Sequence, residues 1–181
     1  MIFLKDDRIE LRALEPEDLP HLYRWENDTS LWCLGSTITP YSRHALTEYL
    51  NLSSHHDLYE TGQLRLAVQE SSLRQAIGLV DLFDLDIHNR RAAVGILIDP
   101  NFRKQGRGTA ALNLLASYAF LFLHLHQLYV HIPADNPASL ALFRHCGYRE
   151  AGLLAQWAIR PDASFVDTFL FQLLSSASPS Q

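Results

Sequence analysis

The chain predicts an α/β fold: a single domain whose central mixed sheet is mostly antiparallel and carries helices on both faces. Two patterns point there. Three apolar segments, "QLRLAVQE", "QAIGLVDLFDLD" and "RAAVGILID", follow one another across the short spacers "SSLR" and "IHNR", and short polar spacers between such runs mark hairpins. The order then becomes strand, helix, strand, helix, strand, which makes the sheet mixed and sets helices against it. The length of 181 residues, with 48% in the apolar set, suits one core of ordinary size and excludes a disordered chain.

Each element has its own local reason. "IELRAL" (Ile9 to Leu14) alternates apolar and polar residues as a half-buried strand does. In "EPEDLPHLYRWENDTS" an acidic first turn with Pro16 at its entrance suits a helix N-terminus. "SRHALTEYLNLSSHHDLYETG" reads as one or two further helices ending at Gly62. A long helix is expected from about Gly106 to Leu123, then the short strand "QLYVHIP". "NPASLALFRHCG" is a helix capped by Asn136 and closed by Gly147. "YREAGLLAQWAI" and "SFVDTFLFQLL" are the last strands, so the domain spans residues 1–174 and "SSASPSQ" (175–181) is a disordered tail.

The bulk numbers narrow the function. A formal charge of -5 without a long run of either sign argues against nucleic-acid binding, which needs a broad basic face. "MIFLKDDR" is charged too early for a secretory signal, and the apolar stretch from Thr109 to Leu125 is interrupted and short for a membrane span. Cys33 and Cys146 form no metal-type pair and read as free thiols in a reducing, cytoplasmic compartment. His55-His56 and His124-x-His126 lack ligand spacing, and no metal is expected.

The loop "PNFRKQGRG" (Pro100 to Gly108) lies between a strand and the long helix. First-turn N–H groups have no intrahelical partners there, and the helix dipole adds about half a positive charge. Gly106 and Gly108 admit a ligand close to the backbone, and Arg103, Lys104 and Arg107 add charge, a combination suited to phosphate or pyrophosphate. A charged, solvated turn is the alternative. Neither a Walker-type nor a dinucleotide glycine pattern is present.

Arg103-x-x-Gly106-x-Gly108 after "ILIDPNF", with "NPASLALFRHCGYREAG" downstream, resembles the two ordered signatures of the GCN5-related N-acetyltransferases. Within that superfamily the chain looks most like the branch of spermidine and ribosomal-protein N-terminal acetyltransferases. The resemblance implies a sheet that splays in a V between its fourth and fifth strands. It implies that Arg103, Lys104, Gln105, Gly106, Arg107, Gly108 and Thr109 bind the pyrophosphate of acetyl-CoA. Ile96, Leu97 and Ile98 would pair with the pantetheine as an added strand. Asn136, Ser139 and Phe143 match further cofactor positions, although Asn136 can equally cap its helix.

Acetyl transfer to an amine needs an uncharged nucleophile, a stabilised oxyanion and a departing thiolate. The tyrosine that protonates the thiolate in many relatives aligns with Phe143, and the strand glutamate used by others falls at Ala92-Ala93-Val94. The replacements nearest to hand are Asp81, Asp84 and Asp86. Alternation puts Asp84 and Asp86 on one face and Asp81 on the other, unless a bulge intervenes. Asp81, amid apolar residues, is the first choice as a water-relayed base, and Ser139 as a donor to the thiolate. Solvated strand-edge carboxylates are the alternative.

An amine, small or peptidic, would enter beside the first helices and the final hairpin near Trp157 to Phe165. Trp25, Trp32, Tyr41 and Tyr49 could wall it, and Glu26, Asp28 and Glu48 could attract a cation. The competing reading is a non-catalytic acyl-CoA-binding module. Apolar residues on the last strand permit a homodimer.

Overall fold

The computed structural model describes residues 4–32, 37–53 and 58–175. Seven strands form one sheet: β1 (Ile9–Ala13), β2 (Leu64–Glu70), β3 (Gln75–Asp86), β4 (Arg91–Ile98), β5 (Gln127–Pro133), β6 (Arg149–Ile159) and β7 (Phe165–Leu174). Their spatial order is β1-β2-β3-β4-β5-β7-β6. Every pairing is antiparallel except β4 with β5. The helices are α1 (Leu19–Glu26), α2 (Thr29–Trp32), α3 (Arg43–Ser53), α4 (Leu58–Thr61), α5 (Arg107–Leu121) and α6 (Pro137–His145).

Both faces of the first strands are buried. On one, Leu66, Val80, Leu82, Val94 and Ile98 pack against Ala110, Ala111, Leu112 and Leu115 of α5 and Leu140 and Phe143 of α6. On the other, Ala67 and Leu79 meet Leu22 and Trp25 of α1 and Leu46 and Leu50 of α3. Burial on both faces explains why β3 and β4 read as near-continuous apolar runs. The helix expected at Pro16 begins as a 3-10 turn, Pro16–Asp18, and becomes α-helical at Leu19. Gly62 and Gly147, with φ of 68° and 85°, close α4 and α6 in the left-handed region.

The expected splay lies between β4 and β5. Only Arg91↔Gln127, Ala92↔Leu128 and Ala93↔Tyr129 pair; beyond them the parallel strands part. The rest of β4 stays bonded to β3, with Ile96↔Val80, Leu97↔Leu79 and Ile98↔Gly78. Its other edge faces the gap. Cys33, the His55-His56 pair and residues 176–181 of the tail lie outside the described residues, whereas Ser175 donates its N–H to the His126 carbonyl at 2.8 Å.

Candidate active site

The loop after β4 has one rigid end and one open end. Asp99 accepts the Asn101 N–H at 3.0 Å and so starts a 3-10 turn, Pro100–Phe102. Lys104 and Gly106 then take left-handed φ values of 57° and 77°, and α5 begins at Arg107. This backbone leaves the N–H groups from Lys104 to Thr109 without an acceptor among the described residues. Adjacent unsatisfied donors at a helix start form a concave anion site.

The three cations of the loop have different fates. Arg107 forms a two-pronged pair with Glu70 at the end of β2, at 2.5 and 3.1 Å, and also bonds Gln105. Its side-chain charge is thus largely spent on fastening α5 to the sheet, while its backbone N–H stays among the loop donors. That contact and the Ser72 hydroxyl hold the Glu70 carboxyl below the usual range, against the effect of burial. Arg103 donates Nε to the Ile98 carbonyl at 2.8 Å, bracing the loop on β4. Lys104 remains exposed. Arg8 is a cation that the motif did not reveal: its Nη1 lies 3.2 Å from where a Cβ on Gly106 would stand.

At the start of α6, Asn136 accepts the Ser139 N–H at 3.1 Å, so it caps the helix. Phe143 is 1% exposed and packs edge-on against Tyr148, with ring centroids 4.9 Å apart. It is part of the core. Gly108 comes close to the same helix: a Cβ there would sit 3.4 Å from Leu142. Cys146 is half-buried, and burial pushes its thiol up despite a bond with Thr109. Among the described residues no group of three His, Cys, Asp or Glu gathers as a metal site would need.

The other face of β2–β4, beneath α1 and α3, carries an ionic cluster. Arg65 of β2 lies opposite Asp81 of β3, which lies opposite Gly95 of β4. Arg65 Nε donates to Asp81 at 2.6 Å and its Nη1 to Glu26 at 2.8 Å. The guanidinium stands 5.7 Å from the Tyr49 ring centre, and burial raises the Tyr49 phenol. Asp81 is therefore not the carboxylate among apolar groups that the sequence suggested, but one half of an ion pair. A Cβ on Gly95 would lie 3.1 Å from Asp81 Oδ2 and 3.5 Å from Phe83, so the glycine makes room for those two side chains over β4.

The supposed aromatic wall separates into different roles. Trp25 is 3% exposed and gives its indole N–H to Asp99 at 3.0 Å, tying α1 to the end of β4. Trp32 bonds the Glu26 carbonyl at 2.8 Å. Tyr41, Trp157 and Phe165 are exposed, and Glu48 is exposed on α3. Asp28 is engaged by Ser30 at the start of α2.

A further pair closes the apex of the splay. The pairing of β3 with β4 shifts between Phe83 and Asp86, and Asp84 takes a φ of 52°. The bulge breaks strand alternation and turns Asp84 toward β5, where it accepts the Tyr129 hydroxyl. Burial and the neighbouring Asp84 push the Tyr129 phenol up to about 12, so it stays a donor. Asp86 is instead held by Asn89 at 2.7 Å and Arg91 at 3.0 Å.

The architecture agrees with that of known proteins. The acetyltransferase (GNAT) domain family matches residues 8–149. A spermidine N(1)-acetyltransferase of Vibrio cholerae is 30% identical over 151 residues, covering 83% of this chain and 84% of the relative. The crystal structure of spermidine N-acetyltransferase from Vibrio cholerae in complex with CoA and spermine superposes with a TM-score of 0.83 at 27% identity, over 94% of this chain and 98% of that one. A dodecameric structure of spermidine N-acetyltransferase from that organism gives 0.77 at 28% identity, over 94% and 96%. With the splayed sheet and the donor-rich loop in place, the chain belongs to the GNAT family and is an acetyl-CoA-dependent N-acetyltransferase.

Proposed function

We infer that the acceptor is a polyamine. The observation that carries this is the charge balance beside the splay: two carboxylates, Glu26 and Asp81, share one guanidinium, Arg65, and Asp84 is held by the Tyr129 hydroxyl. The excess of carboxylates suits an amine carrying further positive charges, and the likeness to a spermine-bound relative points the same way. Acetyl-CoA would lie with its pyrophosphate on the N–H groups from Lys104 to Thr109, near Arg103 and Arg8. Its pantetheine would run along Ile96, Leu97 and Ile98, with Asn136 and Ser139 flanking it and Phe143 backing the pocket from the core. Asp81, locked to Arg65, would shape the acceptor site, and the Ser139 hydroxyl would meet the departing sulfur. The enzyme would work in the cytoplasm as an oligomer, for which the exposed Leu153, Trp157, Ile159 and Phe165 on the β6–β7 ribbon offer an apolar surface.

Acetyl-CoA and free CoA should each raise Tm, by about 2.7 kcal/mol of added stability at a hundredfold excess over Kd. Gly106→Glu should abolish the shift by placing a carboxylate at the anion site. An amine panel scored by CoA release should favour spermidine or spermine over a peptide N-terminus or an aminoglycoside. Cofactor binding without release from any amine would instead support the non-catalytic module.

A further inference from the structure

The standard strand glutamate is missing because β4 carries Ala93 there, yet a carboxylate stands over that position. Phe83, Ala93 and Tyr129 are consecutive cross-strand partners on β3, β4 and β5. Leu128 and Val130 point into the α5 core, so Tyr129 projects from the opposite face, the one that carries Asp81 and Gly95. β3 and β5 are two strand spacings apart, about 10 Å. The bond between Asp84 and Tyr129 must therefore cross β4 on that face, above the methyl group of Ala93. A longer side chain at Ala93 would occupy the same space.

Charge separates Asp84 from its neighbours. Asp81 is matched by Arg65, and Asp86 by Arg91. Among the described residues no cation stands within ion-pair distance of Asp84, whose partner is a neutral phenol. A phenol fixes a carboxylate in place without cancelling its charge. Asp84 is exposed and half-buried Tyr129 lines a surface pocket with Arg91, Gln127, His131, Leu170 and Gln172, so the pair is open to an incoming amine.

We propose that Asp84, delivered by the β3 bulge over Ala93 and oriented by Tyr129, is the carboxylate that receives the acceptor amine and takes its proton. This rests on the acetyl-transfer reading above. The ammonium form docks on Asp84 and must first lose one proton to solvent. The amine nitrogen then bonds to the thioester carbonyl carbon, the carbon–sulfur bond breaks, and sulfur leaves with the electron pair as thiolate. The nitrogen's remaining surplus proton passes to Asp84 and from there to water. Phe143 needs no proton to give, because a thiol with an ordinary pKa of about 8.5 is an adequate leaving group.

The test uses the full chain with acetyl-CoA and spermidine. Asp84→Asn should lower kcat about a hundredfold, with the Tm shift produced by CoA unchanged. Tyr129→Phe should cost about tenfold alone but less than about twofold when added to Asp84→Asn, because it acts through that carboxylate. Asp84→Gly, which suits the left-handed φ, combined with Ala93→Glu moves the carboxylate to β4 and should recover at least about tenfold over Asp84→Asn. Asp84→Asn within twofold of the parent overturns the assignment alone. A parent that binds CoA and releases no thiol with any amine overturns the proposed function and this assignment together.

Discussion

At the scale of single residues, the exchange between positions 143 and 148 shows how a hydroxyl can be present and still be useless for catalysis. Phe143 supplies no hydroxyl, while Tyr148, packed edge-on against it, has a buried one with no hydrogen-bond partner among the described residues. Burial pushes that phenol upward, so it stays neutral throughout the working range of pH. A buried hydroxyl without a partner costs about 1–3 kcal/mol. Tyr148→Phe should therefore stabilise the protein by about 1 kcal/mol, raising Tm by about 2–4 °C for a chain of this size. A lower Tm by calorimetry would mean that the phenol is satisfied in solution. Turnover should not change, since the hydroxyl is sealed in the core.

At the scale of elements, close strand approach holds β4 where the proposed pantetheine slot needs it. A Cβ on Gly78 of β3 would collide with the Leu97 carbonyl oxygen and lie 3.0 Å from Ile98 Cδ1. Gly78→Ala should cost about 1–3 kcal/mol by overpacking. By displacing Leu97 and Ile98 it should also raise the Kd for CoA about tenfold, or about 1.4 kcal/mol. A destabilised variant that binds CoA as tightly as the parent would place the slot elsewhere. Elements of this kind were largely legible in the chain, because alternation, the spacers 71–74 and 87–90 and the glycines at 62 and 147 are local signals. The site was legible only where its signal was a motif. The bulge at Asp84 was not, since a left-handed aspartate needs no glycine and leaves no mark on the pattern. Nor were the partners of Asp81, Arg107 and Trp25, which come from other strands or helices and are set by packing.

At the scale of the whole molecule, three carboxylates fasten one element to another, Asp99 and Glu70 across distant parts of the chain and Asp18 between β1 and the turn before α1, and all three are held below the usual range. Burial raises Asp18 and Asp99, but other contacts overcome it. For Asp18 these are the Arg12 fork, at 2.7 and 2.9 Å, and the Glu15 N–H. For Asp99 they are Trp25, the Asn101 N–H and Arg24. For Glu70 the leading cause is Arg107 itself. A depressed carboxylate adds stability that is complete above its unfolded pKa of about 4. As pH falls below that, the unfolded chain takes up protons that the folded chain refuses, and stability drops until the folded pKa is passed. Tm should thus be level between about pH 5 and 7 and fall steeply below about pH 4. Glu70→Gln should lower the plateau and flatten the acid limb, because one linked proton is removed. The Glu70–Arg107 pair also fastens the first residue of α5, so CoA affinity should weaken along with stability as that pair titrates. A Tm that stays constant to pH 3, or an acid limb unchanged in Glu70→Gln, would remove these pairs as the molecule's acid-sensitive links.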